Sequence, residues 1–513
     1  MAKDKVILAY SGGLDTTVII PWLKENYDYD VIAVCIDVGQ GDDWAAIKAR
    51  ALKTGAAACY VVDAKQEYIE EYIWPAVKAN AVYEDEYLLG TSTARPLIGK
   101  ILVEYARQEK AVAICHGATG KGNDQVRFEL AIKAFAPDIK VIAAWRDEKW
   151  NMDSREAEIK FLEERGLEVP MKKDQSYSRD ENIWHLSHEG LELEKTENEP
   201  NYKHMLKNTT VPEEAPDEGE YVTIDFEKGI PVGLNGKKMN ALDLLTELNT
   251  IGGRNGVGLV DICENRCVGM KSRGVYETPG GSILYFAHRM MDHICLDRDT
   301  YHYKQLVAIR MGELIYDGKW FTTLMDACMA FVDKTQETVT GWAKVKLVKG
   351  AIRAAGSGSK YSLYNESIAS FTTGELYNHK DAQGFITLFG LPLKVRAMME
   401  QQVGEGQAIA ESKSLKKRPT ENCFAYVIKC HPWHCCNTFI IEYGRVAQLA
   451  GRPVGAAPAV PEAKGRQNPE KVLLSIYLFI ASSNIEQILC FSSIIICFDF
   501  SFSLFSVGSS RKS

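Results

Sequence analysis

Up to Trp145, short β-rich runs alternate with amphipathic helical stretches, and this alternation narrows the fold more than any other feature of the chain. Lys5–Tyr10 reads as a strand, Thr16–Asn26 as a helix, Asp30–Val38 as a strand, Asp43–Thr54 as a helix and Ala58–Asp63 as a third strand. Gln66–Ala81 and Thr91–Lys110 follow as helices containing Pro75 and Pro96, and Ala111–Gly117 and Ile139–Trp145 read as two further strands. Such β-α repetition predicts a parallel sheet with helices on both faces. Runs such as Val6-Ile7-Leu8-Ala9 are apolar without alternation, as strands covered on both sides are.

After Asp147 the pattern changes. Glu156–Arg165 reads as an exposed helix, and the acidic stretch 190–220, with three prolines, as a surface excursion. From Tyr221 to Tyr364 shorter strands mix with helices such as Ala241–Thr250 and Glu277–Leu296, which predicts an α+β second domain. Residues 381–403 read as a short strand and then a terminal helix.

The segment Ala9-Tyr10-Ser11-Gly12-Gly13-Leu14-Asp15-Thr16-Thr17 ends the first strand, turns on two glycines and opens a helix. Backbone N–H groups at a helix start lack partners, and the helix dipole adds positive charge, so the junction favours phosphate. Gly12 and Gly13 permit close approach, while Ser11 and Thr16 or Thr17 add hydroxyls. The loop has neither the Gly-Lys-Ser/Thr of a Walker sequence nor the G-x-G-x-x-G of a dinucleotide fold.

Two later blocks are dense in polar groups. Tyr83–Pro96 sets Tyr87, Thr91, Ser92 and Arg95 at a helix start. Thr91 or Ser92 alone reads as an N-cap; together with Tyr87 and Arg95 the set reads as a clamp for a polar amino acid. His116–Glu129 follows a strand and places Gly117, Thr119, Asn123, Asp124 and Arg127 where the last three share a helical face. Arg127 suits a carboxylate contact.

Ser11–Thr16 resembles the SGGxD[S/T] pyrophosphate loop of N-type ATP pyrophosphatases, which cleave ATP between the α and β phosphates. With YLLGTSTARP, HGATGKGNDQVRFE, NIWHLSHEG and ENRCVGMKSRGVYETPGG, the chain from about Val6 to Gln401 is similar to the argininosuccinate synthase family. The resemblance implies an α/β nucleotide-binding domain of adenine nucleotide α-hydrolase type over 1–168, an α+β synthetase domain over 169–380, and a C-terminal strand and oligomerisation helix over 381–403. It implies a C–N ligase of arginine biosynthesis and the urea cycle, working on citrulline, aspartate and ATP with Mg²⁺, as a cytoplasmic homotetramer. ATP would lie on Ala9, Tyr10, Ser11, Gly12, Gly13, Leu14, Asp15, Thr16 and Thr17, with Ile36 (alanine in most of the family) and Gly117 completing its site. Citrulline would meet Tyr87, Ser92, Asn123, Arg127, Ser178, Ser187, Glu264 and Tyr276; aspartate would meet Thr119, Asn123 and Asp124. Asp124, Arg127 and Thr119 are the residues expected to act in the reaction, and Asp15 and Asp124 the carboxylates nearest Mg²⁺. On their own, Ser178 and Ser187 read as surface hydroxyls.

Residues 404–513 are unlike the rest. The whole chain carries 60 Lys+Arg against 68 Asp+Glu, a net −8, but residues 1–403 balance at −12 and the tail at +4. An acidic body disfavours nucleic-acid binding, which weighs against a tRNA-thiolating enzyme with the same loop; Cys263 and Cys267 read as packing residues. A non-catalytic adenine-nucleotide sensor is the other alternative, and leaves the later polar blocks without a purpose. The start of the chain shows no secretory signal, and the body's cysteines lie in apolar runs that suit reduced thiols. In the tail, the spacing of Cys430, His431, His434, Cys435 and Cys436 fits no standard zinc pattern. Ile488–Phe498 is short for a membrane span of about 20 residues. The tail reads as translation past a natural stop, outside the functional enzyme.

Overall fold

A computed structural model describes residues 3–170, 177–370 and 377–404. The tail from 405 onward, with its histidine-cysteine cluster and apolar run, lies outside the described residues. The chain parts into two compact units between Asn378 and His379.

The first unit opens on five parallel strands, β1 (Lys5–Ala9), β2 (Asp30–Asp37), β3 (Ala58–Asp63), β4 (Ala113–His116) and β5 (Lys140–Ala143), in the order β3-β2-β1-β4-β5. Helices α1 (Leu14–Tyr27), α2 (Trp44–Thr54), α3 (Lys65–Tyr68), α4 (Trp74–Ala79), α5 (Gly90–Glu109), α6 (Asp124–Phe135) and α7 (Arg155–Glu163) connect or flank them. The unbroken apolar strands behave as expected. Val6 and Leu8 pack with Val18, Ile19 and Leu162 on one side, while Ile7 packs with Val34, Leu97 and Ile101 on the other. The single helix expected over Gln66–Ala81 is interrupted by a wider turn at Ile69–Ile73. Pro75 follows directly; its missing N–H removes one helical bond, and the wider turn takes up the mismatch.

Strand order reverses between β1 and β4. Chain leaving β1 goes one way to β2 and β3, then crosses back to β4 and β5. Open parallel sheets bind ligands at the carboxyl ends of the strands at such a switch, and here that is where Ser11–Thr17 and Gly117–Asn123 lie.

The rest of this unit is α+β. One antiparallel sheet has the order β11-β12-β7-β6, from β6 (Ser178–Glu181), β7 (Leu186–Glu189), β11 (Leu259–Asn265) and β12 (Lys271–Glu277). The other runs β10-β9-β8-β13-β14, from β8 (Glu220–Glu227), β9 (Ile230–Leu234), β10 (Lys237–Lys238), β13 (Gly341–Val348) and β14 (Ala351–Gly358). Helices α8 (Tyr202–Met205), α9 (Ala241–Arg254), α10 (Pro279–Cys295), α11 (Arg298–Tyr316), α12 (Thr323–Gln336) and α13 (Glu366–Ala369) complete it. One apolar cluster runs from Ile7 in β1 to Leu347 in β13, so the two sheets share a core with the parallel sheet. The helix read from Glu277 begins two residues later. Glu277 is the last residue of β12, fully buried, and accepts from the backbone N–H groups of Lys207 and Asn208 and pairs with His188 Nε2 at 2.7 Å. A polar residue at a strand end gives no periodic signal.

The second unit corrects one expectation. Asp381–Phe389 is a helix (α14), not a strand, and a second helix, α15 (Leu391–Gln402), follows. A lone strand would leave its backbone groups unpaired, whereas a helix satisfies them internally. Phe385 and Phe389, one turn apart, stack at 5.1 Å, and Pro392 sits in the first turn of α15, where its missing N–H costs nothing.

Candidate active site

At the loop after β1, Gly12 adopts φ 75°, and a Cβ there would approach Ile47 to 2.8 Å. Glycine is therefore required twice, for conformation and for space. Helix α1 starts after Gly13 with no side chain closing its first N–H groups. Those donors and the helix dipole are left for an anion. Around them, Ser11 Oγ is 3.2 Å from Thr16 Oγ1, Thr17 Oγ1 donates to the Gly13 carbonyl at 2.7 Å, and the Tyr10 hydroxyl lies 3.1 Å from Thr17 Oγ1. Burial pushes the Tyr10 phenol up to about 12, so it stays neutral. Arg50 from α2 donates to the Gly12 carbonyl at 2.7 Å. Sequence reasoning missed this cation, because nothing local distinguishes Arg50 from other helical surface residues.

Gly117 follows β4 and lies against the start of α1, where a Cβ would be 3.1 Å from Ile19 and 3.3 Å from Thr16. Ile36 is buried near the end of β2, and its carbonyl accepts from the Gln40 side chain at 2.9 Å. The nucleotide candidates Ala9–Thr17, Ile36 and Gly117 thus converge at the carboxyl ends of three adjacent strands.

Residues of the later polar blocks form a second cluster, aromatic and polar. The Tyr87 and Tyr276 rings are 4.4 Å apart, and the Tyr87 hydroxyl accepts from the Thr91 N–H at 3.1 Å. Gly274 leaves room for the Tyr276 phenol, since a Cβ at 274 would meet that hydroxyl at 2.9 Å. The phenol therefore folds back along β12 toward Glu264 on β11. Burial raises the Glu264 carboxyl above its ordinary value, while Tyr316, Arg127 and Tyr276 oppose the rise. Ser92 Oγ and Glu264 Oε2 are buried with no hydrogen-bond partner in the protein. Buried polar atoms are nearly always satisfied, so each of these orphans is a candidate contact for a polar ligand.

Ser187, read alone as a surface hydroxyl, is buried. It pairs with Tyr276 across β7 and β12, and its hydroxyl meets the backbone N–H of Asp180 at 3.1 Å. Ser178 is exposed on β6, opposite Glu189 rather than in that row. Thr119 is exposed in the loop before α6, whereas Asn123 and Arg127 are buried at the helix start.

Arg95 does not stand open as a clamp. Its guanidinium lies 2.9 Å from both Asp124 and Asp180. Arg127 Nη1 takes the other Asp124 oxygen at 2.9 Å. Both Asp124 oxygens are thus held by guanidinium groups, which argues against this carboxylate as a metal ligand. Asp180 is partly buried, which opposes ionisation, but Arg95 and His185 outweigh this and hold it far below the usual carboxylate range. Burial lowers His185, keeping its imidazole neutral. Cys263 and Cys267 are exposed rather than packed, and the Cys267 thiol donates to Asn123 Oδ1 at 3.1 Å. Among the described residues, no three His, Cys, Asp or Glu side chains converge to hold a metal ion.

Behind the loop, Glu158 of α7 is buried with Oε1 unpaired. Burial, then the neighbouring Asp15 carboxylate, push its carboxyl up to about 8 from an ordinary 4.5. Folding therefore retains a proton between roughly pH 4.5 and 8, and this contribution falls as pH rises through that window. Glu158→Gln keeps the neutral form. Its melting temperature should match that of the unsubstituted chain near pH 5 and exceed it by several degrees near pH 9. Parallel melting curves across that range would show that Glu158 titrates normally.

A five-stranded parallel sheet, with an uncapped helix and a Gly-Gly turn at its switch point and a polar pocket alongside, defines a pyrophosphate-loop ATP-using enzyme of the HUP class. The argininosuccinate synthase N-terminal HUP domain model matches residues 5–168, and the C-terminal domain model matches residues 177–396. Argininosuccinate synthase of Brachyspira hyodysenteriae is 63% identical over 400 residues, covering 78% of this chain and 98% of that one. That of Agathobacter rectalis is 62% identical over 396 residues, covering 77% and 97%. The chain belongs to the argininosuccinate synthase family, the ligases that join citrulline to aspartate using ATP. Among solved structures, an NH3-dependent NAD synthetase from Campylobacter jejuni aligns over 33% of this chain and 66% of that one, at 13% identity and TM-score 0.21. No helix among the described residues is long and apolar enough to cross a membrane.

Proposed function

We propose that the family reaction proceeds here on the residues gathered at the switch point. ATP lies over Ser11–Thr16, its pyrophosphate portion on the uncapped start of α1, with Gly117 and Ile36 toward the nucleoside. Citrulline occupies the pocket of Tyr87, Ser92, Asn123, Arg127, Ser187, Glu264 and Tyr276, with Ser178 at its rim. Aspartate enters at Thr119, Asn123 and Asp124. The observations that carry this reading are the orphaned polar atoms Ser92 Oγ and Glu264 Oε2 and the helix start of α1 with no side-chain cap. A ureido group supplies both the donors and the acceptor that such a pair requires.

In the first step the ureido oxygen attacks the α-phosphorus, expelling pyrophosphate and giving citrullyl-AMP. In the second the aspartate amine attacks the activated carbon and AMP leaves. Two nitrogens donate into a ureido carbon, so adenylation is what makes its oxygen a leaving group. The protein's contribution is orientation and charge stabilisation. The α1 N–H groups stabilise charge developing on the departing pyrophosphate. Asp124 orients the incoming amine, and Thr119 and Arg127 steady the two amino acids. Mg²⁺ would neutralise phosphate charge while keeping most of its water. Asp15, in the first turn of α1, fits as a nearby carboxylate, since both Asp124 oxygens already meet arginines.

The same reading includes a cytoplasmic homotetramer. On α14 and α15, Phe385, Ile386, Leu388, Phe389, Leu393 and Val395 are exposed, an apolar surface that a neighbouring subunit would cover.

The test is product identity. The full-length chain should form AMP and pyrophosphate only when citrulline is present. ADP as product, ATP consumption without citrulline, or tight ATP binding without turnover would overturn the reading.

A further inference from the structure

Tyr316 touches Tyr83, Tyr87, Asn123 and Arg127, yet neither the loop nor the substrate blocks point to it. It is the last residue of α11 and is fully buried. Its ring stacks on Tyr83 at 3.6 Å and 6°, and the Arg127 guanidinium lies over the same ring at 4.9 Å. Its carbonyl accepts from Arg127 Nε at 2.8 Å. The turn that delivers it fits glycine alone: Gly318 has φ 74°, and a Cβ there would be 2.7 Å from Arg127 Cα.

The hydroxyl is the informative atom. Asn123 Nδ2 donates to it at 2.9 Å. A phenol that accepts from an amide has its own proton to place, and the Glu264 carboxyl faces it. At its other end, Asn123 Oδ1 accepts from the backbone N–H and thiol of Cys267, at 3.0 and 3.1 Å. The amide is thus fixed in one orientation, with one Nδ2 hydrogen left over. Glu264 Oε2 is buried with no hydrogen-bond partner in the protein.

We infer that Tyr316 is a positioning residue of the synthetase reaction. It relays hydrogen bonding from Asn123 to Glu264, so that the amide and the carboxylate present one donor and one acceptor to citrulline in fixed register. The inference rests on the proposed citrulline pocket and adds to it the residue that orients two of its members. Without the hydroxyl, Asn123 Nδ2 loses its buried acceptor, while the ring contacts with Tyr83 and Arg127 persist.

The experiment is Tyr316→Phe in the full-length chain, with steady-state constants for all three substrates. Citrulline KM should rise ~10-fold, the size of one unmet buried hydrogen bond, while ATP KM and the melting temperature stay near those of the unsubstituted chain. A merely structural tyrosine would move ATP KM and melting together with citrulline KM. A citrulline KM within about twofold of the original would overturn the inference. A cycle with Asn123→Ala guards against a folding defect. In that background, removing the hydroxyl should change kcat/KM for citrulline by less than about twofold; a full ~10-fold loss there would mean Tyr316 acts independently of Asn123, against the inference. Citrulline-independent ATP turnover by the unsubstituted chain would instead strike the pocket assignment itself.

Discussion

Asp124→Ala is expected to cut argininosuccinate formation by at least about a hundredfold and to destabilise the protein by about 3 kcal/mol. Asp124 is the shared counter-ion of Arg95 and Arg127, whose side chains are only 12% and 4% exposed. Removing one partner of a buried ion pair is costly because the charge left behind stays desolvated. Here two guanidinium groups lose a partner; Asp180 still neutralises Arg95, but Arg127 loses its ion pair and keeps the Tyr316 carbonyl and ring. Asp124 is partly solvent-accessible, which keeps the expected cost at the lower end of the range. The consequence for catalysis is specific. If Asp124 served only the aspartate amine, citrulline-dependent exchange between ATP and pyrophosphate would survive Asp124→Ala. Because Arg127 also belongs to the proposed citrulline pocket, that exchange should fall too. Asp124→Asn retains an acceptor for one arginine, so it should preserve most of the exchange while still losing the overall reaction. Equal exchange rates in Asp124→Ala and the unsubstituted chain would show that Arg127 does not depend on this carboxylate.

What was legible in the sequence follows from how local each device is. The proposed phosphate loop sets backbone N–H groups, two glycines and neighbouring hydroxyls within one strand-turn-helix junction, so contiguous residues suggest its chemistry. Asn123, Asp124 and Arg127 were legible for the same reason, since helical spacing alone puts them on one face. The parallel sheet was legible because its strands are apolar on both sides, although the wide turn before Pro75 was not. The failures are contacts made across long stretches of chain. Arg95 looked like a free clamp because its partner Asp180 lies 85 residues on. Ser187 looked like surface because only its register against Tyr276 buries it. Tyr316 sits at the end of an ordinary helix, and its proposed role exists only where α11 meets α6. The short run around Phe385 was apolar enough for a strand, but strand formation requires a partner edge that local composition cannot supply.

The second large effect is expected from the smallest change. In Gly90→Ala a Cβ would lie 2.1 Å from Cγ of His185, and neither side has room to yield. Gly90 is fixed through its carbonyl, which accepts from the Tyr68 hydroxyl at 3.1 Å and from Asn182 Nδ2 at 3.0 Å. His185 is fixed through its backbone, tied to Asn182 in a tight turn, and its ring stacks on Tyr276 at 6.1 Å. Overpacking of a closed core costs about 1–3 kcal/mol, and here the displaced ring pushes on Tyr276, which lines the pocket opposite Tyr87. Gly90→Ala should therefore lower the melting temperature by several degrees and raise citrulline KM more than about tenfold. The two readouts separate two causes. A stability loss with unchanged citrulline KM would mean His185 relaxes away from the pocket. If both stay within error, the contact between α5 and the turn before β7 is looser than the 2.1 Å approach implies. A control at Gly41, where a Cβ meets nothing within 4 Å but φ is 70°, should show the cost of left-handed backbone alone, about 1 kcal/mol, with citrulline KM unchanged. The difference between the two variants then measures what close packing behind Tyr276 contributes to the proposed citrulline pocket.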